Sequence, residues 1–290
     1  RLGVTGDFEN YYSTMSFTAE AQIVRELGKF LLDGSLYQGF KPVFWSTVEK
    51  TALADAEVEY KDHTSNTIFV AFRVKESSKD FLKDANIIIW TTTPWTIPAN
   101  RALAFNSSIE YVLVEINELE NFKEKKNVVA KNLLDSIIKS CSIEKFKVLK
   151  TFSGLDFTDT ICEHPFKNLS YDFEVPMLEA RFVTLEQGTG IVHCAPSHGP
   201  DDFNLCLKHN IPSKYTIDNA GYYTDEIPYF TKTHVFKADS IIIDKLKDVK
   251  KLLKNDKLQH SYPHSWRSKA PLIYRATPQW FISMEKNSLR

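Results

Sequence analysis

The segment 90–100, Trp-Thr-Thr-Thr-Pro-Trp-Thr-Ile-Pro-Ala-Asn, carries the side chains best suited to hold a polar ligand. Its three consecutive threonines are Thr91, Thr92 and Thr93. An apolar run at 87–89 precedes them and predicts a buried strand that ends in the threonines. The prolines of the segment disfavour strand pairing and a regular helix. Three hydroxyl groups on a rigid strand end can bind a ligand or a water molecule, and the alternative is an ordinary threonine-rich β surface.

A second segment, at 188–203, has the sequence Gly-Thr-Gly-Ile-Val-His-Cys-Ala-Pro-Ser-His-Gly-Pro-Asp-Asp-Phe. Glycines open a predicted strand, and Pro200 suits the first position of a following helix. Asp201 and Asp202 then lie in the first helical turn, where the helix dipole favours negative charge. An ionised carboxylate at this place can bind a cationic group. The alternative is that both acids only complement the dipole.

Together the two segments resemble the editing domain of isoleucyl-tRNA synthetases, and the resemblance covers essentially the whole chain. Four further stretches resemble this family in the same order, at 1–8, 51–60, 260–267 and 275–281. The valyl and leucyl branches carry Thr-Thr-Arg-Pro in the first motif. This chain has Thr93 in place of the arginine and Trp95 after the proline, which indicates the isoleucyl branch.

The resemblance implies hydrolytic proofreading, with valyl-tRNA(Ile) as the substrate and valyl-adenylate as a further one. A pocket built for isoleucine rejects valine, which lacks one methylene, by only about 1–3 kcal/mol. That magnitude comes from isoleucine-specific synthetases themselves and is no result of the present chain. A second site that admits only the smaller product is therefore needed. The other function compatible with the resemblance is a module that binds the tRNA acceptor end without turnover.

The resemblance also implies roles for single residues. Thr91, Thr92 and Thr93 would line the pocket and hold the ester or the water, while Asp202 would bind the α-ammonium group of the substrate. His193 would form the wall that excludes isoleucine. An ester is already activated, so positioned water and a stabilised oxyanion suffice without a covalent nucleophile. The other expected substrate contacts are Trp95, Thr96, Asn100, Gly188, Gly190 and Ala195, with Thr96 and Asn100 at the adenosine end.

Each of these residues also has a structural explanation when it is taken alone: His193 as a core histidine, Asn100 as a loop cap and Trp95 as core. A cysteine hydrolase is disfavoured because Cys194 and His193 are neighbours on a strand and face opposite ways. Five potential metal ligands have no usual zinc spacing, namely His193, Cys194, His198, Cys206 and His209. Where some family members carry cysteine pairs, this chain has Ser46, Glu49, His264 and Ser265. We therefore expect no metal and no cofactor for editing, with ATP and Mg needed only by a full-length synthetase.

Composition limits the class of protein. The 290 residues are 43% hydrophobic, which is enough for a substantial core. Lys and Arg number 36 against 37 Asp and Glu, and the net charge of −1 is unusual for an autonomous nucleic-acid-binding domain. Contacts with tRNA must then be local or come from other parts of a longer protein. The lysine clusters at 123–126 and 245–254 are predicted to be solvated helix faces.

Several features favour a monomeric, cytoplasmic piece of a larger synthetase. The four cysteines lack framework spacing, which favours reduced thiols. No apolar run approaches a membrane span, no signal peptide is evident, and the sequence starts at Arg1. Signatures of the aminoacylation site, His-x-Gly-His and Lys-Met-Ser-Lys-Ser, do not occur, so we expect no aminoacylation. The rest of the synthetase would act in cis.

Hydrophobic periodicity predicts an α+β fold with a β-barrel-like core and flanking helices. Predicted helices cover 18–32, 127–140, 200–210 and 236–253. Predicted strands cover 36–45, 65–75, 86–92, 101–105, 110–116, 145–152, 175–184 and 189–194. By the resemblance, residues 46–256 are the editing core, and residues 1–45 and 257–290 are the outgoing and returning connections to a catalytic domain.

Overall fold

The structure is a computed structural model that describes residues 3–117, 119 and 122–286. The chain divides into two compact units, one formed by residues 1–40 with 278–290 and the other by residues 41–277. The first unit contains helix α1 (Phe17–Leu32), and the Ser16 hydroxyl caps it by accepting a hydrogen bond from the Ala19 N–H. The prediction of a helix at 18–32 is thus confirmed.

Among the residues that the structure describes, the second unit contains one large sheet and three α-helices. Its helices are α2 (Leu134–Ser140), α3 (Pro200–Lys208) and α4 (Val235–Asp248). The sheet strands are β3 (Val58–Glu76), β4 (Asn86–Thr91), β5 (Ala102–Phe105), β6 (Glu110–Ile116), β7 (Lys126–Ala130), β8 (Phe146–Ser153), β9 (Ile161–Glu163), β10 (Glu174–Glu179), β11 (Val192–Cys194) and β12 (Leu252–Ser265). A smaller sheet has the order β13-β1-β2, with β1 at Leu36–Ser46, β2 at Thr51–Ala52 and β13 at Ile273–Ile282.

The large sheet is mixed and open. Its strand order is β11-β5-β10-β9-β3-β4-β7-β6-β8, and β12 pairs with β3 outside this path. The pairs β10–β5 and β4–β7 are parallel, whereas β3–β4 and β11–β5 are antiparallel. Within the described part of the chain, the terminal strands β11 and β8 do not pair, so the sheet is not a closed barrel. The predicted α+β class is confirmed.

Strand β4 lies at the centre of the core and leads to the threonines. Ile87, Ile88 and Ile89 are at most 1% exposed, as expected for a strand covered on both faces. Its antiparallel partner β3 brings Ile68 opposite Thr91. The threonine-bearing strand end is therefore held by a fully packed part of the molecule.

The prediction of a helix at 127–140 is wrong over its first half. Residues 126–130 form β7 between β4 and β6, and helix α2 begins only at Leu134. Val128 and Val129 are buried β-branched residues, which pack well in a central strand. The helix predicted at 236–253 ends at Asp248, because Leu252 already pairs with Val70 as part of β12.

Two other predicted strands are shorter than expected. The one predicted at 175–184 ends at Glu179, and the one predicted at 189–194 begins at Val192. Gly188 and Gly190 have φ angles of 80° and 72°, outside the range of a strand, which delays the start of β11. None of the described helices is both long and apolar enough to cross a membrane.

Candidate functional site

The threonine segment is a strand end that passes into a buried 3-10 helix. Strand β4 ends at Thr91, and the 3-10 helix covers Pro94–Ala99, all six residues of which are buried. The sequence predicted that the prolines would disfavour a regular helix, and the segment instead forms this short, buried 3-10 helix. Pro94 fits its first position, where the N–H group needs no intrahelical partner, whereas Pro98 lies inside it.

Distant residues fix this 3-10 helix from three sides. The Trp95 N–H donates to Asp239 Oδ1 over 3.2 Å, and His164 Nε2 donates to the Ile97 carbonyl over 2.9 Å. The Tyr223 hydroxyl donates to the Trp95 carbonyl. Sequence analysis did not identify Asp239, His164 or Tyr223, since none belongs to a recognisable motif.

The hydroxyl groups of the segment form a connected chain. Thr91 Oγ1 lies 3.1 Å from Thr93 Oγ1 and accepts the Thr93 N–H over 3.1 Å. Thr93 Oγ1 lies 3.3 Å from Thr96 Oγ1, and the Thr96 hydroxyl donates to the Thr93 carbonyl over 2.9 Å. Thr91 is buried and Thr93 half-buried, so part of this chain faces solvent or a ligand.

His193 joins this chain from strand β11. Its Nε2 lies 2.8 Å from Thr96 Oγ1, and its Nδ1 lies 3.2 Å from Asn100 Nδ2. Burial lowers the pKa of His193 to about 4, with a smaller effect from His198, so the ring is neutral near pH 7. The structure thus brings together five of the predicted site residues, Thr91, Thr93, Thr96, Asn100 and His193. The contacting residues Thr96 and His193 lie 97 positions apart in the sequence.

Asp202 lies where Pro200 was predicted to place it, in the first turn of α3. Its Oδ2 accepts the Ala195 N–H over 2.9 Å, two residues after His193. Burial, opposed by the hydrogen bond from the Ala195 N–H and supported by the nearby charge of Asp201, raises the pKa of Asp202 to about 7. None of the described lysines and arginines forms an ion pair with Asp202. The carboxylate is therefore partly desolvated without a counter-ion.

We expect Asp202→Asn to stabilise the folded chain at alkaline pH. The folded-state pKa of Asp202 is raised, so between its usual value and about 7 the native state binds more protons than the unfolded state. The contribution of Asp202 to the free energy of unfolding then falls as pH rises through that window. Denaturant unfolding should show a gain of about 1–3 kcal/mol at pH 8 and none near pH 4. A gain that is equal at both pH values would contradict the assigned burial of the charge.

The first two glycines of the second motif have positive φ angles, which favour glycine, and close packing also requires Gly190. A Cβ on Gly190 would lie 2.4 Å from the Ala130 Cβ, and one on Gly188 would lie 3.4 Å from the Trp90 ring. The Tyr111 hydroxyl donates to the Gly190 carbonyl over 2.9 Å. The close approach that these glycines allow is thus to β4 and β7, and their expected contact with a substrate stays a prediction.

A pocket of ≈ 270 Å³ adjoins the threonine segment. Thr92, Thr93 and Trp95 line one part of it, and Thr64 and Asp239 line another. His193 and Asp202 are not among the described residues that line it. Thr92 and Thr93 therefore face an accessible space, while the Thr96–His193 contact lies in the adjoining core.

The thiols and the potential metal ligands of this region are less suited to chemistry. Burial raises the pKa of Cys206 to about 12 and also raises the pKa of Cys194 well above its usual value, so neither is a thiolate at neutral pH. His198 is held by the Tyr274 carbonyl and Thr216. Across the residues that the structure describes, no three His, Cys, Asp or Glu side chains form a group that could hold a metal ion.

The chain matches the family model described as tRNA synthetases class I (I, L, M and V) over residues 1–290. It is 66% identical over 290 residues to the isoleucine–tRNA ligase of Pelagibacter ubique (strain HTCC1062), which covers 100% of this chain and 32% of that protein. It is 45% identical over 302 residues to the isoleucine–tRNA ligase of Gluconobacter oxydans (strain 621H), covering 98% of this chain and 32% of that one. The chain thus spans about a third of the length of these relatives.

Among solved structures, the cytosolic leucyl-tRNA synthetase editing domain of P. knowlesi has a similar fold, with a TM-score of 0.51. The match covers 68% of this chain and 96% of that domain at 12% sequence identity, so it shows the fold alone. The full-length family match and the ligase relatives carry the family assignment. By these findings the chain belongs to the class I tRNA synthetases, with isoleucine–tRNA ligases as its relatives and the fold of an editing domain.

Proposed function

We propose that this chain hydrolyses the ester that links valine to the 3′ end of tRNA(Ile), with valyl-adenylate as a further substrate. The observation that carries the proposal is the Asp202 carboxylate, which has no counter-ion among the described residues and lies beside the His193 strand. Burial of a carboxylate without a counter-ion costs stability, and such groups occur at sites where a cationic ligand binds. The α-ammonium group of an aminoacyl ester supplies the missing positive charge, and it would favour the ionised form of Asp202.

The threonine segment suits the hydrolytic step. Water adds its oxygen to the ester carbonyl carbon, the bond from that carbon to the ribose oxygen breaks, and the protons pass to the ribose oxygen and to solvent. The products are free valine and a tRNA with an intact 3′ hydroxyl. No covalent intermediate is needed, so hydroxyl groups that position water can serve as the catalytic groups. Thr92 and Thr93 line the accessible pocket, and Thr91 orients Thr93 by a hydrogen bond.

Rigid packing around His193 supports selection by size. The ring is only 7% exposed and is fixed at both nitrogens by Thr96 and Asn100. A wall that cannot yield excludes a larger side chain, because overpacking costs about 1–3 kcal/mol. Valine would therefore be accepted and isoleucine rejected.

The second candidate function is binding of the tRNA acceptor end without turnover. The net charge of −1 favours this candidate, because a chain without excess positive charge must leave most contacts with tRNA to other parts of a longer protein. In both proposals residues 1–45 and 257–290 connect to a catalytic domain, the rest of the synthetase acts in cis, and only that domain uses ATP and Mg. The location proposed for such an enzyme is the cytoplasm. A deacylation assay separates the two functions, since a binding module releases no valine.

Replacement of Thr91, Thr92 and Thr93 together by alanine should lower the rate of valyl-tRNA(Ile) deacylation by about 100-fold. Three neutral hydrogen bonds contribute on the order of 3 kcal/mol, and each 1.4 kcal/mol is a factor of ten. Single-turnover release of labelled valine measures the rate, and circular dichroism checks the fold.

Thr64→Ala is the matched control for this variant. Thr64 lines the same pocket but belongs to β3 and not to the hydroxyl chain. Its replacement should change the rate less than about threefold. A folded triple variant with the rate of the unmodified chain would remove the threonines from the catalytic site.

A further inference from the structure

The hydrogen bonds around Asn100 determine which nitrogen of His193 carries the proton. The side chain of Asn100 is fully buried, and its Nδ2 lies 2.9 Å from the Ala102 carbonyl. A carbonyl only accepts hydrogen bonds, so the amide NH₂ and not the amide oxygen must face it. Rotation of the amide by half a turn would place two acceptors against each other. The orientation of the Asn100 amide is therefore fixed by the backbone.

The second hydrogen of the same NH₂ group points to His193. Asn100 Nδ2 lies 3.2 Å from His193 Nδ1, and the amide can only donate in this contact. His193 Nδ1 must then be an acceptor without a proton. Burial keeps the ring neutral near pH 7, so its one N–H is at Nε2 and donates to Thr96 Oγ1 over 2.8 Å.

This choice sets the direction of the hydroxyl protons that follow. Thr96 already donates its proton to the Thr93 carbonyl, so it accepts from both His193 and the Thr93 hydroxyl. Thr93 thereby uses its only hydroxyl proton, and the contact with Thr91 must be donated by Thr91. The number of protons on each group thus fixes the donor in the His193–Thr96, Thr93–Thr96 and Thr91–Thr93 contacts.

We propose that Asn100 is a positioning residue that fixes His193 as the Nε2–H tautomer and thereby directs the hydroxyl protons of Thr91 and Thr93 toward Thr96. The free lone pairs of Thr91 and Thr93 are then acceptors. Asn100 thus acts through His193, in addition to any contact with a substrate.

This direction has a consequence for turnover that rests on the proposed function. Hydroxyl groups that offer only lone pairs accept a hydrogen bond from an attacking water and orient its oxygen toward the ester. They do not donate to the developing oxyanion. His193 does not act as a general base, because the lone pair of its unprotonated Nδ1 already accepts a hydrogen bond from Asn100.

Two other buried histidines supply internal references for a measurement. His198 Nδ1 lies 3.0 Å from the Tyr274 carbonyl, so His198 is the Nδ1–H tautomer. His164 Nδ1 accepts the Phe166 N–H over 3.1 Å, so His164 is the Nε2–H tautomer. The chain has eight histidines, and replacement of each in turn assigns their signals.

The test is ¹⁵N NMR of the histidine rings in the 290-residue chain without substrate. At pH 7 we expect a protonated Nε2 and an unprotonated Nδ1 for His193, as for His164 and opposite to His198. Asn100→Asp places beside Nδ1 a carboxylate, which when ionised only accepts hydrogen bonds, and should convert His193 to a form that carries a proton at Nδ1. Thr96→Val removes the other partner and should leave the Nε2–H tautomer in place, because Asn100 still donates to Nδ1.

Asn127→Asp is the matched control. Asn127 resembles Asn100 in being a buried asparagine whose Oδ1 has no hydrogen-bond partner among the described residues and whose Nδ2 donates to a backbone carbonyl. This substitution should leave the His193 signals unchanged. The proposal is overturned if His193 in the unmodified chain carries its proton at Nδ1 or is doubly protonated. It is also overturned if Thr96→Val changes the tautomer of His193. If Asn100→Asp does not fold, the spectra of the unmodified chain and of Thr96→Val still test the proposal. Deacylation is not involved, so failure of the proposed function would leave the NMR result unaffected.

Discussion

Replacement of Asp202 by asparagine should lower the rate of valyl-tRNA(Ile) deacylation by about 10–100-fold. The carboxylate at the start of α3 is oriented by the Ala195 N–H and has no cationic partner among the described residues, so an α-ammonium group would be its counter-ion. A hydrogen bond to a charged group contributes about 1.5–3 kcal/mol, which gives that loss of rate. Asparagine keeps the shape of the side chain but not its charge.

Asp201→Asn is the control for this prediction. Asp201 occupies the same helical turn and is exposed, so its charge contributes to the dipole but not to a buried contact. Its replacement should change the deacylation rate less than about threefold. Equal losses in both variants would mean that the two acids act only through the helix dipole, and Asp202 would leave the site.

Replacement of His193 by alanine should relax discrimination between valine and isoleucine. Loss of the buried ring removes the wall held by Thr96 and Asn100 and leaves room for one more methylene. The ratio of valyl to isoleucyl ester deacylation should fall about tenfold, since a size filter of this kind is worth about 1–3 kcal/mol. The ratio is measured with both esters on the same tRNA.

His198→Ala provides the matched comparison. His198 lies in the same motif and is equally buried, but its ring contacts the Tyr274 carbonyl, Thr216 and the Trp95 ring, and none of the hydroxyl groups of Thr91, Thr93 and Thr96. Its loss should reduce stability and slow both esters in proportion. A folded His193→Ala variant with an unchanged ratio would show that His193 only supports the strand.

The local features of the site could be predicted from the sequence. The apolar run before Thr91 predicted a buried strand, and Pro200 predicted the helix that places Asp202 in its first turn. Both signals act over a few residues, where periodicity and capping preferences are strong. The same local signals gave a wrong prediction for the first half of 127–140. Val129, Leu133 and Ile137 have helical spacing, but Val129 pairs with Val112 in the sheet.

The contacts that hold the site could not be predicted in this way. Asp239 contacts Trp95 across 144 positions, and His164 contacts Ile97 across 67. Such pairs depend on the strand order of the sheet, which places β11 beside β5 and leaves the sheet open. Local propensity carries no information about that order, so the sequence predicted a β-barrel-like core but not the order of its strands.

The proposed editing activity can be measured by single-turnover deacylation of valyl-tRNA(Ile) and isoleucyl-tRNA(Ile) with the unmodified chain. The proposed function predicts that valine is released while the isoleucyl ester survives, with rates that differ by about tenfold or more. Release of valine at the uncatalysed rate, with the tRNA bound, would identify a binding module. Equal release of both amino acids would contradict the proposed selection by size at His193.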